Sequence, residues 1–246
     1  MQQSLPVDEI EECLKNKVAY YNRLEPAEQM RFKKEVDDFL NHISITGVRT
    51  EATNEDRVLV AASAIIPIFA FPGWKYPNLN EVLLYPDMFD DTYDLSNENK
   101  DRRIMGMVGS GAMNKVMILS RPALQEGFSN KTDKENTAIH EFVHLIDKTD
   151  GEVDGIPELL LHDQYAKPWL QLIHQKIQEI LKNKSDINPY GATNQAEFFA
   201  VASEYFFERP LLFRQKHPEL YALMEEIFQQ EPRTDSTKER SQINPD

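Results

Sequence analysis

The 246-residue chain has a single cysteine, Cys13, so it can form no intrachain disulfide and build no cysteine-based zinc or iron-sulfur site. Any metal has to be held by His, Asp or Glu. Nine glycines leave little room for a phosphate-cradling loop, and none of them falls in such a pattern. Positive charge is also short: 27 Lys and Arg stand against 41 Asp and Glu, a formal charge of −14. A general binder of phosphate backbones needs a basic surface, so nucleic acid is not an expected partner. The longest apolar stretch, Val58 to Phe71, is shorter than the roughly 20 residues that cross a bilayer and is interrupted by Pro67. The N-terminal MQQSLPVDEIEEC has neither the basic region nor the apolar run of a signal peptide. A soluble, cytoplasmic protein with no membrane partner is therefore the expectation.

What is present is enough for a sizeable core: 41% of residues are hydrophobic and 28% charged. Phe32, Val36, Phe39, Leu40 and Ile43 recur at helical spacing after Pro26, and the run stops at Gly47. Thr53 and Asp56 form a capping-box pattern that opens a second helix through Ile66 to Pro67. From Glu81 the texture changes. EVLLYP, RIMGMV and KVMILS are short β-favouring runs bounded by Pro, Asn, Asp and Gly-Ser-Gly, and they read as strands. Pro122 restarts helix. TDKENTAIHEFVHLIDK is expected to be a helix capped by Asp or Thr, with Ile139, Phe142, Val143 and Ile146 inward and Gly151 past its end. Further helices are expected from about Pro168 to Lys182, Gln195 to Phe207 and Pro218 to Gln230. Strands clustered between helical regions predict an α+β fold, mainly helical with a small central sheet. Residues 1–230 are expected to form one domain and 231–246, almost free of apolar residues, a disordered tail.

The chemistry centres on His140-Glu141-Phe142-Val143-His144, an HExxH pattern inside the amphipathic helix. Histidines at i and i+4 share a helix face and can reach one metal ion, while Glu141 stands beside the ion's open side. Two neutral imidazoles and a third protein ligand hold Zn²⁺ with one position left for water, whose pKa the metal lowers to about 7. Glu141 is placed to take the proton as the water attacks a carbonyl. The pattern predicts one zinc per chain and a metallopeptidase acting on a peptide or protein substrate.

The third ligand has to come from elsewhere, because LIDKTDGEVDG after His144 lacks the Gly and His of the metzincin extension. His162, His174, His217 and the carboxylates of NQAEFFAVASEYFF remain. Glu197 is preferred over Glu204, since a carboxylate on so apolar a helix needs a partner to offset its desolvation. Asn194 to Glu197 also spells a capping box, a purely local alternative for that glutamate. For the carboxylate that orients a ligating histidine, Asp147 and Glu204 both qualify. An extended substrate would pair with a strand beside the motif helix, and Lys115 to Ser120 is the nearest candidate, with Gly109-Ser110-Gly111 as a hairpin turn before it.

HEFVHLID followed about fifty residues later by PYGATNQAEFFAVASEYFF resembles the Mlc titration factor A family of zinc peptidases, whose catalytic region is related to that of anthrax lethal factor. RFKKEVDDFL, the apolar helix ending at Pro67 and EVLLYPDMF extend the resemblance from about Leu24 to Pro232. It implies a zincin-like metalloprotease fold, an aminopeptidase-like or limited endopeptidase activity, His140, His144 and Glu197 as zinc ligands and Glu141 as general base. It also implies a catalytic role for Tyr190, whose hydroxyl would assist the tetrahedral oxyanion; without the resemblance Tyr190 reads as a turn residue. Val201 follows Glu197 by four residues, so the ExxxD pairing of thermolysin-like enzymes is absent. Since the family name refers to capture of the transcriptional repressor Mlc, the alternative is a regulatory protein-binding module on the same fold, with a transcriptional regulator as partner.

Overall fold

The computed structural model describes residues 5–88, 104–109, 113–130, 134–157, 160–161 and 163–233. The expected tail falls largely outside the described residues, as do His162 and most of the Gly109-Ser110-Gly111 turn. Helices α1 (Val7–Lys17), α2 (Ala19–Arg23) and α3 (Pro26–His42) lead into strand β1 (Ser44–Gly47). Then come α4 (Asn54–Ile68), β2 (Glu81–Tyr85), β3 (Gly106–Val108), β4 (Val116–Ser120) and α5 (Arg121–Ser129). The rest is helical: α6 (Thr137–Asp147), α7 (Asp163–Leu181), α8 (Gln195–Glu208), α9 (Pro210–Lys216) and α10 (Pro218–Phe228). The architecture is α+β and mainly helical, as expected. Among the described residues no helix is long and apolar enough to cross a membrane.

The four strands form one mixed sheet in the order β1-β2-β4-β3, with β1 and β4 parallel to β2 and β3 antiparallel to β4. Its position in the sheet explains why β4 is continuously apolar. Met117, Ile118 and Leu119 are all fully buried, Met117 and Leu119 in the main core and Ile118 with Tyr85 in a smaller cluster on the opposite face. The helical run that begins at Pro26 ends at His42, and Ser44–Gly47 is a strand paired with β2 where the sequence pattern continues a helix to Gly47. The Thr53–Asp56 capping box at α4 is present with both of its hydrogen bonds. At α7 the helix begins before Pro168. Trp169 anchors its first turns, fully buried and donating its indole N–H to the Gly155 carbonyl at 2.7 Å.

Helix α6 lies against α4, α8 and β3. Ile139, Phe142, Val143 and Ile146 are fully buried, and Phe142 packs on Tyr76 and Phe39 with ring centroids 5.1 and 5.9 Å apart. Burial of such side chains is worth about 1.5–3 kcal/mol each, so the stripe fixes which face α6 turns toward the cleft. Its N-cap is Asn136 and not an Asp or Thr: the side chain accepts from the Ile139 N–H at 3.2 Å. The reason is tertiary. The Asn136 backbone N–H donates to Glu204 and its amide donates to Glu208, both on α8, at 2.5 and 3.0 Å.

Candidate metal centre

The two histidines of α6 and Glu197 of α8 converge. His140 Nε2 and His144 Nε2 lie 3.1 Å apart, and Glu197 Oε2 is 3.0 Å from the first and 3.4 Å from the second. Each side chain offers one ligand atom, and all three atoms fit within 4.8 Å of one another. A tetrahedral ion with bonds of about 2.0–2.1 Å requires ligand atoms about 3.3 Å apart, so the donor set matches a zinc-sized divalent cation in spacing as well as in kind. Asn194 caps α8 by accepting from the Glu197 N–H at 2.9 Å, but the Glu197 side chain turns to the histidines. The capping and ligand-like readings of this glutamate therefore coexist, one on its backbone and one on its carboxylate.

Behind the histidines, Glu204 and Asp147 occupy different places. Glu204 Oε1 accepts from His140 Nδ1 at 2.7 Å, which would leave the Nε2 lone pair to a bound ion. The same carboxylate takes the Asn136 N–H, so Glu204 ties the start of α6 to the histidine it orients. Asp147 instead accepts from the Gly155 N–H at 2.9 Å. Gly155 has φ +79°, and a Cβ there would sit 2.5 Å from the Gln195 carbonyl oxygen, so the loop passes tightly under the start of α8. Asp147, Gly155 and Trp169 thus set the spacing between the helix that carries the histidines and the one that carries Glu197.

The electrostatics follow from burial and from four nearby carboxylates. Burial disfavours charge on His140, yet Glu204 and Glu197 outweigh it and hold the imidazole well above its usual range. Burial likewise works against Glu197, and hydrogen bonds from both histidines overcome it and depress its carboxyl far below the ordinary value. Glu141 is 6% exposed, and burial pushes its carboxyl up while both histidines pull it back. Tyr190 sits on a short 3-10 turn over Pro189–Ala192, 54% exposed, its ring centroid 6.0 Å from that of His140. Burial of its hydroxyl, then the charges of Glu197 and Glu141, push its pKa up to about 12, so it stays a hydrogen-bond donor. The loop before it is pinned by Asp186, whose carboxylate accepts from Lys134, Lys216, Tyr205 and His217 at 2.6–3.0 Å.

The other sequence candidates lie elsewhere. His217 is buried against Asp186, and His174 is exposed on α7 with Nδ1 against its own helix carbonyl at Leu170. The strand from Lys115 to Ser120 cannot receive a substrate strand, because β4 is paired on both sides. Among the described residues β1 and β3 are the edge strands, and β3 is the one that packs on α6. Ser120 N–H donates to Met105 and Gly109 N–H to Val116, so residues 105, 107 and 109 face β4, while Gly106 and Val108 turn their backbone groups outward. Strand order is not written in a run of three residues, and the sequence gives no sign of it.

Asp147 carries a pH consequence. Burial, with help from Asp154 and Asp150, raises its carboxyl from 3.8 to about 7 despite the Gly155 hydrogen bond. A raised acid leaves stability intact below the unfolded pKa and loses it as pH climbs toward the folded one. The loss grows between pH 4 and 7 and reaches as much as about 4 kcal/mol. Asp147→Asn keeps an acceptor for Gly155 without the charge. In metal-free protein its melting temperature relative to the parent should rise from pH 5 to pH 8; an unchanged or falling difference contradicts this account.

A family model described as glucose-regulated metallo-peptidase M90 matches residues 1–229. The protein slr2042 of Synechocystis is 28% identical over 232 residues, covering 89% of this chain and 82% of its own. Mlc titration factor A of Salmonella arizonae is 29% identical over 220 residues, covering 83% and 84%, and that of Escherichia fergusonii is 28% identical over 224 residues, covering 85% and 82%.

Proposed function

The chain belongs to the glucose-regulated metallo-peptidase M90 family, to which its Mlc titration factor A relatives also point, and we propose that it is a zinc-dependent metallopeptidase with a zincin-like fold. The observation that carries the proposal is the convergence of His140, His144 and Glu197 at tetrahedral spacing, with Glu141 adjoining it. We read residues 1–230 as one catalytic domain, in keeping with a main core cluster that runs from Ile10 to Phe228.

When bound, zinc supplies Lewis acidity toward a carbonyl oxygen and lowers the pKa of water. His140, His144 and Glu197 would hold it, with Glu204 fixing the tautomer of His140. Glu141 removes the proton of the attacking water and delivers it to the departing amine. Tyr190 would donate a hydrogen bond from its hydroxyl to the oxyanion that develops as the carbonyl is attacked. The outward N–H and C=O groups of Gly106 and Val108 receive an extended peptide as an added strand, which suits a peptide or aminoacyl substrate.

The first test is composition and dependence. Purified protein should carry about one zinc per chain, hydrolyse peptide or aminoacyl substrates, lose that activity to a chelator and regain it with zinc. Zinc-loaded protein inert toward a broad peptide library would overturn the reading. The name of the relatives supports a second role, capture of a transcriptional regulator related to Mlc. Capture by a hydrolytically inactive, zinc-loaded variant would show that this role is independent of hydrolysis.

A further inference from the structure

Gly106 stands where glycine is not needed for conformation. Glycine in a strand costs about 0.5–1 kcal/mol relative to alanine and usually marks a bulge, a bend or a close approach. Gly106 does not have a positive φ, unlike Gly73, Gly151 and Gly155, and it lies in regular antiparallel register opposite Leu119. Its backbone would therefore accept any residue. The side facing α6 would not: a Cβ there would lie 2.6 Å from Glu141 Cγ, 2.7 Å from Oε1 and 2.9 Å from Cδ. Ordinary van der Waals contact is about 3.5–4.0 Å.

We propose that Gly106 is a positioning residue for Glu141, its missing side chain being the space in which the catalytic carboxylate is held. The inference rests on the metallopeptidase reading of the site. Glu141 is buried, and α6 is wedged among β3, α4 and α8. A methyl group on β3 therefore pushes the carboxylate along its own length, toward the cleft or off its line to the water. The same residue turns its N–H and C=O away from β4, so one residue sets both the line of the substrate backbone and the seat of the base. An error of about 1 Å in such a group can cost about 10²-fold in rate.

The test is a double-mutant cycle between Gly106→Ala and Glu141→Gln, measured on zinc-loaded full-length protein with the cobalt-substituted absorption spectrum as a report on the ligands. Gly106→Ala should keep its metal, its spectrum and its melting temperature. Its kcat should fall about 10²-fold with KM within a few-fold of the parent. In the Glu141→Gln background the same change should cost less than about threefold, because the side chain it displaces no longer acts as a base. Three results overturn the assignment: a Gly106→Ala variant as active as the parent while Glu141→Gln is inactive, an equal loss in both backgrounds, or loss of metal and folding in Gly106→Ala. Equal rates for the parent and Glu141→Gln are a different failure, that of the metallopeptidase reading, and they overturn the inference with it.

Discussion

Glu141→Gln should leave the zinc in place and lower kcat by about 10² to 10⁴-fold, the range a positioned general base contributes. The expectation rests on where Glu141 is and on what it does not do. It stands beside the His140–His144–Glu197 cluster without being one of the three converging donors, so replacing it leaves the ligand set whole. Glutamine is isosteric and retains an acceptor oxygen but cannot accept a proton at neutral pH, so it removes the proton transfer and little else. Burial raises the pKa of Glu141, with Glu197 and Glu204 adding to the rise and His140 and His144 opposing it, which makes it a stronger base than a solvated glutamate. The discriminating measurement is zinc content alongside kcat for the same preparation. Full zinc with parental kcat would remove Glu141 from the reaction; lost zinc would make it a structural prop of the site.

Much of this site is legible in the sequence because its parts obey local rules. HExxH needs only helical periodicity, which Ile139, Phe142, Val143 and Ile146 supply, and helix α8 follows from the apolar run after Asn194. What the sequence hides depends on distant partners. Strand β1 has one fully buried side chain, Ile45, and exists because β2 pairs with it; read alone, Ile43 extends the stripe of the preceding helix. The cap of α6 falls to Asn136 among several capable residues because Glu204 and Glu208 arrive from α8. Strand order is equally non-local, so the place of Gly106 and Val108 at the edge of the described sheet is invisible until β4 is seen to be enclosed. Tyr190 has no local signature beyond a turn, and its approach to His140 depends on the Asp186 cluster that pins the loop.

Glu197 and Glu204 lie two turns apart on α8, and their carboxylates meet different atoms. Glu197 Oε2 reaches both Nε2 atoms, where a metal ion would be shared, whereas the contact of Glu204 with the imidazoles is to the far nitrogen of His140. Glu197→Ala should therefore abolish stable zinc binding and activity together, since two imidazoles on one helix remain and the charge-neutralising ligand is gone. Glu204→Ala should weaken zinc about 10 to 100-fold, the usual cost of losing a group that orients a ligating histidine, and excess zinc should restore much of its activity. It also removes the acceptor of the Asn136 N–H, leaving a buried donor unpaired at the start of α6. A stability loss of about 1–3 kcal/mol should therefore appear in Glu204→Ala even without metal. Zinc titrations with a competing chelator, paired with urea unfolding of the metal-free proteins, separate the two effects. If Glu204→Ala released zinc and Glu197→Ala kept it, the ligand and its supporting carboxylate would exchange places. That exchange would also leave unexplained why Glu197, its backbone capped by Asn194 in the first turn of α8, turns its carboxylate to both imidazoles.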